Sequence, residues 1–442
     1  MRLYTRWSAV AVAIAIAVSA TAGRADAPPV YAIKGARLIT AAGPPVASGT
    51  IVIRDGRIEA IGPGVAAPAD AHAIDGAGLT VYPGLIDMGH AAGLDVGSNQ
   101  PQPPNLRTTD EAERWKRALI FRPELEAASH LKETPELARL ANGGITAVLA
   151  TPPGVVFKGR SALVNVTAAP DDPQIGAVGD YRQGVQVVRA PVALHVEFPG
   201  NVRGDAYPAS LLGVIAFVRQ SFLDAQFQKT ARAPAYDPSL DALQPALAGR
   251  LPVAFEADLS RQILRALHLA REFKLDAVIT GGREADQVAG DLKAQNARVI
   301  YSLNYPVRSR ALPPDADEPV SALRARAQAP RIPAALAKAG IRFAFSSDGL
   351  REPNELLRNA ARAVKEGLAP DAALRALTID AATIAGAAET LGSLEPGKMA
   401  NVVVTNGDLF EEKTKIVHVF VAGRMVTLDD APQTERRGRS GQ

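Results

Sequence analysis

Apolar positions fall into two regimes along the chain. Residues 31–61 alternate: AIKGARLIT is followed by GTIVIRDGRIEAIG, with Asp55-Gly56 between the halves of the second run. Period-two alternation around Asp-Gly predicts a hairpin of half-buried strands. A second cluster of this kind, ANVVVTNGD and then KIVHVFVAGRMV, lies near the C-terminus. Neither cluster has enough strands for a stable sheet, so both chain ends are expected to meet in one small composite β-sandwich, from residues 28–78 and 391–428.

Between them, in residues 79–390, strand-like apolar runs alternate with helical ones. The runs are residues 79–87, 145–151, 162–166, 192–198, 251–257, 277–281, 299–303 and 341–346. Most are continuously apolar, as strands covered on both faces are. Their number is that of a closed parallel barrel, so the expected fold class is α/β, an eight-stranded β/α (TIM) barrel carrying the sandwich. Residues 259–274 place Leu259, Ile263, Leu267, Ala270 and Phe273 on one helical face, and residues 355–366 read as a helix stopped by Gly367. Two stretches break the regularity. Residues 152–160 are too short for a helix, and residues 226–250 are longer than a crossover needs, so the barrel is expected to be irregular.

Composition adds limits. The chain has 442 residues, 47% hydrophobic and 21% charged, close to globular averages, which disfavours wholesale disorder and a multi-span membrane protein. Basic and acidic residues nearly balance, and no basic run is interleaved with aromatics, so no nucleic-acid partner is expected despite a pI of 9.0. Residues 1–27 combine Arg2 and Arg6, an apolar run at 9–18, and Ala-x-Ala sites ending at Ala22 and Ala27. That is the pattern of a secretory signal, with a core too short to span a membrane; an uncleaved anchor is the alternative. Pro28 would come directly after the second site and block cleavage, so Ala22 is the expected end. The mature chain is then exported, to a bacterial periplasm, without membrane attachment, and residues 429–442 form a disordered tail. There is no cysteine, so disulfides and thiolate metal ligands are excluded, and a metal would need His, Asp, Glu or a modified Lys.

Several motifs then stand out: PGLID before MGHAAG at residues 83–93, FSSDG at 345–349, and ALTIDAATIAGAAETLGSLEPGKMANVVV at 376–404 with VAGR after it. Together they resemble the amidohydrolase superfamily, nearest to its imidazolonepropionase-like branch, over nearly the whole mature chain. The resemblance implies a β/α barrel with a composite sandwich and metal-dependent hydrolysis of non-peptide C–N bonds, such as those of cyclic amides, using zinc or another divalent ion. The family's first-strand histidines fall on Gly89 and Ala91, and a later one falls on Gly281. None of these supplies a donor atom, which argues against a family-type binuclear site.

Active sites of such barrels lie at the C-terminal ends of the strands. Asp348 stands at the position of the family's catalytic aspartate, and Glu256 at that of a histidine; these two are the catalytic candidates, Asp348 having a capping role as its alternative. His90, Glu256 and Asp348 are the residues left for a metal. His90 is out of step with the ligand positions, so it points away from the axis while the strand continues, and inward only if the strand has ended. Lys158, His195 and Asp258 are candidates for binding substrate. Lys158, with Arg160 among glycines, suits an anionic group, or sits in a solvated turn. His195 and Glu197 share a face of their strand, and the plainer reading of His195 is a hydrogen-bonded core residue. For Asp258 the plainer reading, a helix N-cap, is preferred. His72, His130, His268 and His418 read as structural.

These residues suit two functions. One is a hydrolase using Asp348 and Glu256 on a small-molecule substrate. The other is a catalytically inactive homologue that binds a ligand or serves as a subunit, as a homo-oligomer or beside a metal-competent related chain.

Overall fold

The computed structural model describes residues 30–96, 105–168, 180–182, 184–202, 207–230, 236–313 and 315–429. The expected signal and nearly all of the expected tail lie outside these residues. Five strands open the chain: β1 (Tyr31–Leu38), β2 (Val46–Arg54), β3 (Arg57–Gly62), β4 (His72–Asp75) and β5 (Thr80–Pro83). The middle supplies β6 (Leu85–His90), β7 (Ile145–Ala150), β8 (Phe157–Arg160), β9 (Ala162–Ala168), β10 (Asp180–Arg182), β11 (Val185–Arg189) and β12 (Leu194–Glu197). Then come β13 (Val253–Ala257), β14 (Ala277–Gly281), β15 (Arg298–Ser302), β16 (Phe343–Ser346), β17 (Val402–Thr405), β18 (Ile416–Val421) and β19 (Arg424–Val426).

Strands from the two chain ends share one sheet, ordered β19-β18-β17-β5-β1-β2-β3, with β4 alongside β1. The join is the antiparallel pairing of β17 with β5, Val402 opposite Pro83. The β2–β3 hairpin turns at Asp55 and Gly56, with φ of +50° and +76°, which is why this dipeptide is there. Packing inside the sheet rests on Ile33, Leu38, Ile51, Ile53, Val81, Val402 and Phe420, all buried.

The middle strands form two mixed sheets, β10-β11-β9-β7-β6 and β16-β15-β14-β13-β12-β8. From β12 to β16 each neighbour pair is parallel, as is β6 with β7. The third expected strand departs from the parallel pattern. It forms β9, antiparallel to β7, and the residues just before it form a further strand, β8, antiparallel to β12. The cause is the connection at residues 151–156, far shorter than the dozen or so residues a parallel crossover needs, so the chain can only turn back.

Both edges of the two sheets approach each other. Ser161, between β8 and β9, donates its N–H to Ala193 (2.9 Å) and accepts from Val192 (2.8 Å), so the bent strand serves both sheets. Across the other edge, the Ser347 N–H donates to Asp87 Oδ1 (2.8 Å) and its hydroxyl to the Gly89 carbonyl (3.3 Å).

Enclosed between the sheets is an apolar layer: Ile86, Met88, Ala147, Leu149, Leu163, Ala193, Ala254, Val278, Ile300 and Ala344. Successive inward positions on a strand are two residues apart. The next inward residues are therefore His195, Glu256, Thr280, Ser302 and Ser346, and the layer above the apolar one is polar. Outside, the helix Ser260–Phe273 buries Ile263, Leu267, Ala270 and Phe273, nearly the face expected. The helix Glu355–Lys365 ends just before Gly367, at φ +109°. The long stretch at 226–250 takes up the end of the helix Leu211–Thr230 and the single turns Pro238–Asp241 and Gln244–Leu247.

Candidate active site

The polar layer opens into a cavity of about 340 Å³ at the C-terminal ends of the parallel strands. His90, Lys158, His195, Glu256, Asp258 and Asp348 all line it, as do Gly89, Ala91 and Gly281. None of His72, His130, His268 and His418 does.

His90, expected to point away from the axis while the strand continues, lines the cavity. In the β6–β7 ladder Asp87 faces Val148 and His90 faces Ala150, so Met88 and Gly89 stand against Leu149 alone. This β-bulge inserts one residue just before His90, so alternation counted through it does not fix the facing of His90. The ring is not free to ligate through both nitrogens, because Nδ1 accepts the Ala92 N–H at 2.8 Å.

Lys158 carries its ammonium into a pair of carboxylates. It bonds Glu256, and Glu197 lies 3.2 Å away. Burial works against the charged amine, but the charges and hydrogen bonds of Glu256 and Glu197 outweigh it and hold the Lys158 pKa above the ordinary value. The expected receptor for an anionic group is thus already neutralised by the chain itself. Glu197 was legible only as a strand-mate of His195. Its carboxyl is pushed up by burial, an effect that Lys158 opposes and Glu256 reinforces.

His195 is 5% exposed, and its Nε2 has no hydrogen-bond partner. It is therefore not the hydrogen-bonded core histidine of the plainer reading. Burial, and then the Lys158 charge, push its pKa down to about 3, so the ring is neutral at any ordinary pH.

Asp258 is not the N-cap of the following helix. The Ser260 N–H is taken by Glu284 (2.8 Å), and Gln262 accepts from the N–H groups of Asp258 (3.0 Å) and Leu259 (2.9 Å). With capping supplied by these longer side chains, the Asp258 carboxylate is left to face the cavity, 3.5 Å from Arg283. Burial raises its pKa; Arg283 opposes this, and Asp348 and Glu256 add to it.

Asp348 sits at φ +45°, a left-handed conformation that Asp tolerates better than most residues. It caps no helix, since the next one begins at Glu355. Its Oδ2 accepts the Ser302 hydroxyl at 2.9 Å, and the Asn304 amide donates to its carbonyl at 2.9 Å. Ser302 and Asn304 fix its position, and nothing in the residue pattern signalled them. Beneath it, Asp87 is wholly buried, tied by Oδ1 to the N–H groups of Ser347 and Gly89, with Oδ2 unpartnered. Desolvation raises its pKa against the pull of His90 and these hydrogen bonds.

These residues do not fit a divalent ion. Among the described residues no three His, Asp or Glu side chains converge to hold one. A side chain at Gly89 would meet Ser346 Cβ at 3.2 Å. Gly281 has φ +96°, and a Cβ there would lie 2.4 Å from Asp258 Oδ1. Asp258 thus fills the space a β14 ligand would need.

An α/β scaffold with acid/base side chains at strand ends and a sheet made from both termini is the architecture of the chain, and known proteins share it. The chain is similar to proteins of the amidohydrolase superfamily in sequence and in fold. The sequence profile of the amidohydrolase family matches residues 286–426. An imidazolonepropionase from Aromatoleum aromaticum is 28% identical over 379 residues, covering 81% of this chain and 86% of that protein. The crystal structure of an amidohydrolase from Thermotoga maritima superposes with a TM-score of 0.69 at 22% identity, over 90% of this chain and all of the other. A prolidase crystallised with N-methylphosphonate-L-proline gives a TM-score of 0.54 at 20% identity, over the same shares. Divalent metals generally serve this family. No helix among the described residues is long and apolar enough to cross a membrane.

Proposed function

We propose that the chain is an exported hydrolase of non-peptide C–N bonds whose proton transfers are carried by Asp348 and Asp258. Its two middle sheets are the halves of one irregular eight-stave barrel within residues 79–390, and the strands of 28–78 and 391–428 form the other unit together with β5 from the start of that range. Convergence supports this reading: six acid, base or cationic side chains carried by five strands meet in one cavity.

Two carboxyls in unlike surroundings can divide acid and base work. Asp348 is exposed and holds the Ser302 hydroxyl on Oδ2, which leaves Oδ1 to take a proton from the attacking water. Asp258, whose pKa burial and the neighbouring carboxylates raise against the pull of Arg283, is placed to give a proton to the departing nitrogen. The Lys158 ammonium has three donors; two serve Glu256 and Glu197, and the third faces the oxygen of the substrate carbonyl. Water oxygen bonds to carbon, the C–N bond breaks, and one proton moves to each side of the exchange. Family-type metal donors are absent at Gly89, Ala91 and Gly281, and no step is routed through an ion.

That absence favours a second reading, an inactive homologue that binds a ligand or pairs with a metal-competent related chain. A panel of cyclic amides, amidines and N-acyl compounds assayed with purified mature protein separates the two. Turnover abolished by Asp348→Asn supports the hydrolase. No turnover, with stable association to a related chain, supports the second reading.

A further inference from the structure

The donor and acceptor content of the cavity says what its ligand must offer. One cation, Lys158, lines it against three carboxylates, Glu256, Asp258 and Asp348. Lys158 is shared between Glu256 and a further carboxylate behind it, Glu197, and Asp258 is paired with Arg283. Asp348 has no cation within salt-bridge reach among the described residues; its partner is a hydroxyl. The lining stays negative even with a proton on Asp258. Ionised carboxylates only accept hydrogen bonds, and amidinium and guanidinium groups only donate them. A second feature points the same way: the Nε2 of His195, nearly wholly buried on a side chain that lines the cavity, has no partner. A buried polar nitrogen left alone costs about 1–3 kcal/mol, so with the neutral ring in its Nδ1–H tautomer a ligand N–H that meets Nε2 is rewarded.

We propose that the substrate of this site carries a cationic nitrogen group, an ammonium or amidinium, held between the Asp348 carboxylate and the Glu256–His195 wall. This rests on the hydrolase reading for the word substrate, but the binding claim stands apart from turnover. The negative lining that relatives would direct at a metal is here directed at an organic cation, because Asp258 and the backbone of Gly281 close the metal's place. A narrow cleft lined by one sign of charge concentrates the opposite sign.

Calorimetric titration of the EDTA-treated full chain with butylguanidinium, its neutral counterpart butylurea, and butyrate tests the claim. The guanidinium is expected to bind at least about tenfold more tightly than the urea, with butyrate not binding, as one charge-assisted contact implies. Asp348→Asn, which keeps the left-handed backbone, should cost the guanidinium about tenfold and leave the urea unchanged. Equal binding of urea and guanidinium, tighter binding of butyrate, or no binding of the guanidinium overturns the proposal. So does guanidinium binding that appears only when zinc is restored. Preferred binding of the cation without turnover of any C–N substrate would sink the hydrolase reading alone. Turnover of neutral amides with no preference for the cation would sink this one alone.

Discussion

Lys158→Met is the substitution whose cost comes most directly from the geometry. The ammonium is 14% exposed, Glu197 is 25% exposed and Glu256 53%. Removing one partner of a fully buried ion pair costs about 3–5 kcal/mol. Glu256 is more than half in water and rehydrates when released, so the penalty falls mainly on Glu197, and about 2 kcal/mol is expected near pH 8. For a chain of this length that is a fall in Tm of about 2 °C. The pH dependence identifies the cause. Burial already holds the Glu197 carboxyl above its ordinary value, and Lys158 is what restrains it. In the variant its folded pKa rises further. A carboxyl whose folded pKa exceeds its unfolded one gives stability that is full below the unfolded value and lost as pH rises through the folded one. The gap between variant and wild type should therefore close as pH falls toward the unfolded Glu value of 4.5 and open above the folded one. The Lys158 contribution itself fades only in the alkaline range, its folded pKa being raised. Melting curves of both proteins from about pH 4.5 to 8 give the answer. A gap of the same size across that range, or none near pH 8, would refute the argument that Lys158 neutralises Glu197.

Other outcomes test neighbouring parts of the site. Asp348→Asn should lower hydrolysis by about 100-fold or more while circular dichroism and Tm stay near wild type, because Asn tolerates the same φ. Gly281→Ala should cost more than about 1 kcal/mol in urea unfolding, through its positive φ and the approach to Asp258, and adding Asp258→Ala should recover part of the loss. Asp87→Ala leaves the Ser347 N–H without its buried acceptor and should cost about 2–3 kcal/mol, whereas Asp87→Asn should cost less than about 1 kcal/mol. Because desolvation raises the Asp87 pKa, its stabilising contribution is lost as pH rises, so Asp87→Asn should gain on wild type toward higher pH; a constant difference would contradict the assignment.

The strands of the middle region were legible because each is covered on both faces and reads as an unbroken apolar run. Direction was harder. The short connection at 152–160 signalled irregularity, but its consequence, an antiparallel β8–β9, became explicit only with the ladder partners in view. The site was legible as a set of positions, all six candidates reaching one cavity. Their roles were not. Parity counted from residues 89 and 91 placed His90 outward, but Ile86 and Met88 are the inward residues of β6, and the bulge after them leaves no mark in a run of mixed residues. Asp before a helix read as a cap, since Glu284, far along the chain, does that work instead. Lys158 read as a receptor for anions, since its two partners lie on β12 and β13 and meet it only in the fold.

The changes at the family's ligand positions are also not independent of one another. A histidine on β14 would need both an ordinary φ at residue 281 and space at its Cβ; the chain has φ +96° there and the Asp258 carboxylate 2.4 Å away. A histidine at residue 89 would press on Ser346, the inward residue of β16 two places before Asp348. Restoring one imidazole therefore displaces a carboxylate or shifts the strand that carries the proposed base, and no single step leads back to a family-type site. Gly89→His with Gly281→His should lose stability without acquiring stoichiometric zinc by equilibrium dialysis, because each ring would have to displace what now fills its place. Uptake of zinc by that double variant with Tm preserved would show that the cavity still holds the family's geometry, and that Asp258 and Ser346 yield to it.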